Sequence, residues 1–210
     1  MIPEVAYCRF RRALLDGERM VCHHEVENLL EAGVPVKHLY EALFQRSLYE
    51  VGELWLHNRI SVAREHRATA IIESLFHLTY PTVFATERVG KKALISCGAN
   101  EYHQVGGKIV ADILELNGWD GHFLGAHTPI EDLQQCIQSL QPDFVGLSLA
   151  LVSNIGGLLR TIDVLRVDFP NLDLLIGGQA FLWGGIEAVN ACTGTTYIPS
   201  LNDLELAIKR

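Results

Sequence analysis

The chain has 210 residues, of which 49% are hydrophobic and 20% charged. This is enough apolar mass to fill a core, and it excludes wholesale disorder. A net charge of −8 argues against a broad DNA-binding face, since phosphate contacts need clustered Lys and Arg. The local run Arg9, Arg11 and Arg12 reads as a solvated face. The five cysteines, at 8, 22, 97, 136 and 192, contain no CxxC pair and read as scattered small apolar residues in a reducing compartment. The early arginines interrupt any signal-like run, and no stretch of about 20 apolar residues exists to span a membrane. A cytoplasmic protein is expected.

Residues 1–88 carry helical periodicity without strand alternation. Leu14, Val21, Val26, Leu29 and Leu30 recur at helical spacing and predict one helix, which Gly33 and Pro35 end. A second helix is expected from Val36 to His57, with Leu39, Leu43, Leu48, Val51 and Leu54 inward. Asn58 to Ser61 reads as a turn with Ser61 as N-cap. A third helix runs to Leu78, and Pro81 stops it. The result is a small helical bundle over 1–88. Thr86 to Lys92 is polar and charged and reads as a link to a second domain over 89–210.

That second half alternates. Strands are predicted at 93–96, 122–124, 143–149, 172–178 and 196–198. Helices are predicted from about Val105 to Leu116, from Pro129 to Leu140, from Ile155 to Val167, near Phe181 to Ala191, and from Leu201. Continuous apolar strands alternating with helices imply an α/β domain with a parallel, doubly wound, flavodoxin-like (Rossmann-like) sheet of five strands. Ligands of such sheets bind at the carboxyl ends of the strands, and the unusual residues lie there.

The loop after the first strand reads Asn100-Glu101-Tyr102-His103-Gln104-Val105-Gly106-Gly107. A spacing of two puts Glu101 and His103 on one side of an extended loop. A carboxylate that accepts the far ring N–H of a ligating histidine fixes its tautomer and raises its basicity. Gly106 and Gly107 remove side chains where a ligand would approach the backbone. Read alone, this loop is equally a metal ligand with its orienting acid or a loop histidine beside an acid. Ser148 and the pair Gly177–Gly178, taken singly, read as strand-end turn chemistry.

Taken together the three elements resemble the cobalamin-binding fingerprint of methionine synthase and the mutases: Asp-x-His-x-x-Gly, then Ser-x-Leu, then Gly-Gly. His103 and Gly106 fit, 41 residues separate Gly106 from Ser148, and 26 separate Ala150 from Gly177. The resemblance implies His103 as lower axial ligand of cobalt, Ser148 lining the pocket of the nucleotide tail, and Gly177 and Gly178 letting that tail pass close to strand four. Glu101 replaces the usual Asp, and Ala150 stands where Leu is usual. The latter would loosen packing rather than remove a ligand.

Trp55 precedes Glu65-His66 with nine residues between. By residue type alone these are a core Trp near a surface Glu–His pair. In the setting Gly52-Glu53-Leu54-Trp55 and Ile60-Ser61-Val62-Ala63-Arg64-Glu65-His66, they resemble the helical cap of CarH-type photoreceptors, light-dependent transcription regulators that bind adenosylcobalamin. That resemblance implies Trp55, Glu65 and His66 around the adenosyl group. The cofactor-binding set becomes Trp55, Glu65, His66, Glu101, Tyr102, His103, Gln104, Val105, Gly106, Ser148, Leu149, Gly177 and Gly178. Two departures matter. The chain begins at Met1 directly with the bundle, without a winged-helix domain, and so is similar to stand-alone AerR-type antirepressors. The histidine that in the repressors follows the Trp and captures cobalt after photolysis is here Leu56, with His57 one residue later. About 100° of helix rotation separates those positions, which makes His57 a conditional upper ligand.

His23, His24, His122 and His127 read as surface histidines. Trp183 and Tyr102 are expected to pack against the cofactor rim or the core, Trp119 to pack, and Asp120 to be solvated. The implied function is a non-enzymatic, cobalamin-dependent light sensor in transcriptional control, signalling through a homo-oligomer or a protein partner such as a transcription regulator, with no direct nucleic-acid or membrane binding. Adenosylcobalamin is the expected form, with methylcobalamin and hydroxocobalamin as the other candidates. The competing reading is a corrinoid carrier of a methyltransferase system. A mutase subunit would need a large barrel, which these residues do not encode.

Overall fold

Gly17 divides the first predicted helix in two. In the computed structural model, which describes residues 1–98 and 100–209, α1 spans Glu4–Asp16 and α2 spans Arg19–Glu31. Gly17 stands between them at φ 79°, the left-handed conformation that ends α1. The break resets the helical phase, so the spacing from Leu14 to Val21 no longer marks one face. Val21 is exposed, and α2 buries Cys22, Val26 and Leu29 instead.

The second predicted helix is a composite. α3 (Val36–Leu39) runs into a π-helical turn over Tyr40–Gln45 and then α4 (Arg46–Leu56). The wider turn buries Tyr40, Leu43 and Phe44, while Leu48 and Leu54 are only half-buried. α5 covers Val62–Leu75, and its N-cap Ser61 accepts from the Arg64 N–H at 3.3 Å. A 3₁₀ turn, Phe76–Leu78, follows. Pro81 then sits in the first turn of α6 (Tyr80–Val83), where its missing N–H costs no hydrogen bond. It therefore opens a helix as well as following one. The core here is aromatic: the rings of Phe10, Tyr40, Phe44 and Phe76 lie 5.1–6.2 Å apart in linked pairs. The run Arg9, Arg11, Arg12 is not a bare solvated face. Arg9 pairs with Glu25 at 2.6 Å, Arg11 with Glu50 at 2.7 Å, and Arg12 approaches Asp16 at 3.9 Å.

The chain divides into two units, Met1–Ala85 and Thr86–Arg210. The polar stretch after Ala85 is fastened to the second unit: Thr86 donates to Leu116 O, Arg88 to Trp119 O, and the Val89 N–H to Gly118 O. Asp120 lies 3.7 Å from Arg88 and starts a strand, so it is paired rather than simply solvated. Trp119 is buried against Phe144.

In the second unit β1 (Lys92–Cys97), β2 (Asp120–Phe123), β3 (Phe144–Ser148), β4 (Asp173–Gly177) and β5 (Thr195–Tyr197) form one parallel sheet in the order β2-β1-β3-β4-β5. The connecting helices are α7 (Val105–Leu116), α8 (Ile130–Leu140), α9 (Ile155–Asp168) and α10 (Ile186–Asn190), and α11 (Leu201–Ile208) follows β5. The helix expected from Phe181 to Ala191 is instead a 3₁₀ turn, Gln179–Leu182, and the short α10. Gly184 and Gly185 between them, at φ 129° and 90°, cannot be helical. Leu94, Val145, Leu147, Leu174 and Ile176 of the strands pack on Leu133, Ile137, Leu158 and Ile162 of the helices. Strand order reverses between β1 and β3, and in such sheets the crevice at that point is where ligands bind. The loops leaving β1 and β3 are the ones that carry the predicted site.

Candidate cofactor site

His103 lies in the loop between β1 and α7 and is exposed, whereas Glu101 is fully buried. The Glu101 carboxylate accepts from five donors. Oε1 takes the His103 ring Nδ1 at 2.6 Å and the His103 backbone N–H at 3.1 Å. Oε2 takes the N–H groups of Ala150 and Leu151, at 3.0 and 3.2 Å, and the Asn154 side-chain amide at 3.3 Å. Burial pushes the Glu101 carboxyl up, but the hydrogen bonds from His103, Ala150 and Leu151 outweigh it and hold it at about 2. An ionised carboxylate can only accept. The ring proton is thereby assigned to Nδ1, and Nε2 becomes the nitrogen whose lone pair suits a metal.

The residues that complete this network come from distant loops. Asn154 also donates to Asn100 O at 3.1 Å. Asn100 and His127 both take left-handed backbone, at φ 65° and 51°. The Asn100 N–H donates to His127 Nδ1 at 2.9 Å, and the His127 N–H to Glu101 O at 2.8 Å. Tyr102 stacks on the His127 ring with centroids 5.0 Å apart. His127 is therefore part of the loop's support, which its reading as a plain surface histidine missed. Asn154 was missed as well. Its position 53 residues after Glu101 gives no local signal, and only the juxtaposition of the β1 and β3 loops at the switch point brings the two together.

The other predicted residues distribute as follows. Gln104 caps α7, Val105 is its buried first residue, and Gly106 is exposed in its first turn. Ser148 ends β3, half-buried, and a Cβ on Gly106 would lie 3.4 Å from its hydroxyl. Leu149 is buried. Gly107 does not open the backbone to a ligand. It is buried, and a Cβ there would come within 2.8 Å of the Phe123 ring, so its reason is internal packing. Gly177 ends β4, and Gly178 follows at φ 120°, where a Cβ would sit 2.1 Å from Leu149 O. Tyr102 and Trp183 are exposed rather than packed into the core. Together with exposed Val152 and Leu182 they place apolar surface on the loops at the carboxyl ends of β1, β3 and β4. Cys97, at the end of β1, is buried, and burial followed by the nearby Glu101 charge pushes its thiol up to about 12. It is a packing residue.

In the helical unit, Trp55 and Leu56 are exposed on the last turn of α4. Glu65, in the first turn of α5, is half-buried and accepts from Thr69 at 2.8 Å. His66 is exposed, with Nε2 3.5 Å from Glu65 Oε2. His57 is the C-cap of α4, and its Nδ1 lies 2.8 Å from Glu53 O of its own helix. A cavity of about 340 Å³ lined by Lys91, Asn117, Trp119 and Lys209 lies at the amino ends of the strands, away from His103.

Two models of the B12 binding domain match the chain, one over residues 91–193 and the other over residues 8–78. The chain belongs to the B12-binding domain family. Among curated proteins it is similar to the HTH-type transcriptional repressor CarH of Myxococcus xanthus, 27% identical over 176 residues, which are 81% of this chain and 58% of that protein. It is also similar to dimethylamine corrinoid protein 1 of Methanosarcina acetivorans, 28% identical over 62% of this chain and 61% of that one. The chain thus spans about three-fifths of the length of these relatives. The solved monomethylamine corrinoid protein of Methanosarcina barkeri matches with a TM-score of 0.84 over 98% of both chains, at 14% identity, and so shares the fold. This is a cobalamin-binding protein related to CarH. Among the described residues no helix is long and apolar enough to cross a membrane.

The residues at the switch point fit the cofactor. A buried ionised carboxylate sets an exposed imidazole in its metal-binding tautomer, and Gly106 leaves the first turn of α7 without a side chain.

Proposed function

We propose that the chain is an adenosylcobalamin-dependent light sensor that controls transcription through its own oligomeric state or through a protein partner. In this reading His103 Nε2 would be the protein's ligand to cobalt. Glu101 keeps the proton on Nδ1 and the ring in place. Ser148, Leu149, Gly177 and Gly178 accommodate the nucleotide tail, and Tyr102, Gln104, Val105 and Gly106 line its approach. Cobalamin supplies a cobalt–carbon bond that visible light can break. Trp55, Glu65 and His66 are assigned to sensing the group on the cofactor's upper side.

The observation that carries the reading is the surface of the helical unit. A large aromatic, Trp55, is exposed at the end of α4, and the Glu65–His66 pair stands in the first turns of α5, joined to it by the turn 57–61. Trp55 leaves about a third of its surface uncovered beside exposed Leu56 and Val62, and a flat apolar ligand would give that patch an occupant. The similarity to CarH, which extends over both units, supports the same reading.

Two observations favour a second reading, a corrinoid carrier for methyl transfer. Leu56 stands where a cobalt-capturing histidine is expected, and His57 is engaged by its own helix. The chain is also similar to a corrinoid protein over most of its length. The deciding experiment is an absorption spectrum of the chain with adenosylcobalamin in the dark and after green light, with mass measured by size exclusion in both states. Photolysis with a change in mass, or in affinity for a regulator partner, supports the sensor. Binding without either, together with preference for methylcobalamin, supports the carrier.

A further inference from the structure

The helical unit carries a second cluster of metal-binding groups. His23, His24 and Glu27 stand on α2, with Glu27 four residues after one histidine and three after the other, so both rings share its face of the helix. The Nδ1 atoms of His23 and His24 each lie 3.0 Å from the same oxygen, Glu27 Oε2. All three donor atoms fall within 4.8 Å of one another. A tetrahedral ion with bonds of about 2.0–2.2 Å holds its donors roughly 3.3–3.6 Å apart, so the three atoms need move only a few tenths of an ångström from the two 3.0 Å separations to take one.

The partners of this carboxylate set it apart from several of its neighbours. Four acids of the unit pair with guanidinium groups, Glu4 with Arg46, Asp16 with Arg64, Glu25 with Arg9 and Glu50 with Arg11, while Glu53 and Glu65 each stand 3.5–3.6 Å from a single histidine and Glu27 stands 3.0 Å from two. Among the described residues Glu27 pairs only with imidazoles, side chains that can offer a nitrogen lone pair to a metal. The Nδ1 atom of His23 is shielded from solvent and lacks a hydrogen bond of good geometry. Its ring is held on the other side by His77, with centroids 5.7 Å apart, and His77 is itself fixed through Nδ1 to Ser74 O.

We propose that His23, His24 and Glu27 form a site for a borderline divalent cation of the Zn²⁺ class, separate from cobalamin binding. Two imidazoles and a carboxylate are a donor set such ions prefer. On binding, each ring proton moves from Nδ1 to Nε2 through solvent, and the Nδ1 lone pair takes the metal. The remaining coordination positions belong to water. Because all three ligands lie within five residues of one helix, the ion braces α2 and is bound by the folded form in preference to the unfolded one.

The test is calorimetric titration of the 210-residue chain with zinc sulfate, alongside thermal denaturation with and without zinc. One Zn²⁺ per chain is expected, with a zinc-dependent rise in Tm. Loss of a direct ligand costs at least the roughly tenfold that loss of a ligand's partner does, so His24→Ala and Glu27→Gln should each weaken binding at least about tenfold. The double variant should lose the Tm rise. His24 is exposed, so the variants keep the fold, and an unchanged zinc-free Tm checks this. Absence of a bound equivalent, or zinc binding and Tm rise that survive in the double variant, overturns the proposal.

Discussion

The loop after β1 and the surface of the helical unit offer two kinds of histidine. His103 is prepared: its carboxylate partner is fully buried, ionised and held by donors from two loops. His66 and His57 are not prepared in that way: their acid neighbours are not fully buried and stand 3.5 and 3.6 Å away, and His57 rests on a backbone carbonyl of its own helix. A ligand that must stay bound through every state of a protein gains from a preset ring, because the ordering cost is met on folding. Groups that read a changing upper ligand gain from freedom to move. The difference is one of support rather than of residue type.

The sharpest way to break this contrast is through pH. The folded-state pKa of Glu101 is lowered from 4.5 to about 2. The unfolded chain therefore takes up a proton first, and the stability that Glu101 contributes is present above about pH 4.5 and lost as pH falls toward 2. The shift corresponds to about 3 kcal/mol. Urea midpoints should fall over this window in the native chain, and by about that much less in Glu101→Gln. Equal pH profiles would show that the network is not held by the charge.

A second test removes backbone room. Gly178→Ala puts a Cβ against Leu149 O at an unfavourable positive φ, and a loss of about 2 kcal/mol or more in unfolding free energy by denaturant titration is expected. An unfolding free energy within about 0.5 kcal/mol of the native chain would mean that the β4 loop relaxes freely.

His103→Ala should separate binding from folding. The ring itself is exposed, but it donates to the buried Glu101 carboxylate, so a stability loss of about 1–3 kcal/mol is expected, while affinity for hydroxocobalamin, followed by absorbance titration, should drop at least about tenfold in the chain that remains folded. An unchanged affinity would remove His103 as the cobalt ligand.

The smallest effect is expected in the helical unit. Trp55 is 37% exposed, so Trp55→Ala should lower the thermal midpoint by only a few degrees. It should nonetheless alter the dark affinity for adenosylcobalamin relative to hydroxocobalamin. A loss common to both forms would show that Trp55 serves the fold rather than the upper ligand.

Several of these features were open to reading in the residues alone, and others were not. The parallel sheet was legible because buried strands are continuous apolar runs and their connections are helical. The Glu101–His103 pair was legible because a spacing of two is a local rule. Ser61 was legible as a cap for the same reason. The break at Gly17, the π turn at 40–45 and the loss of helix at Gly184–Gly185 were not, since periodicity averages over such interruptions. Asn154 and His127 escaped because their partners are remote in the chain, and His23 with Glu27 escaped because the two residues gain their meaning from rotamers and from His77.

Sequence by itself determined the all-helical first part, the alternation of strand and helix in the second, the carboxyl-end loop that carries Glu101 and His103, and the spacing of that loop from Ser148 and Gly177. These follow from period and adjacency, which are properties of the chain. Tertiary structure alone decided that five donors from separate loops converge on Glu101, that Gly107 packs inward while Gly106 faces solvent, and that Gly178 is pinned beneath Leu149. The reason is the reversal of strand order between β1 and β3. It brings together loops about 50 residues apart, a juxtaposition that arises only when the sheet has formed.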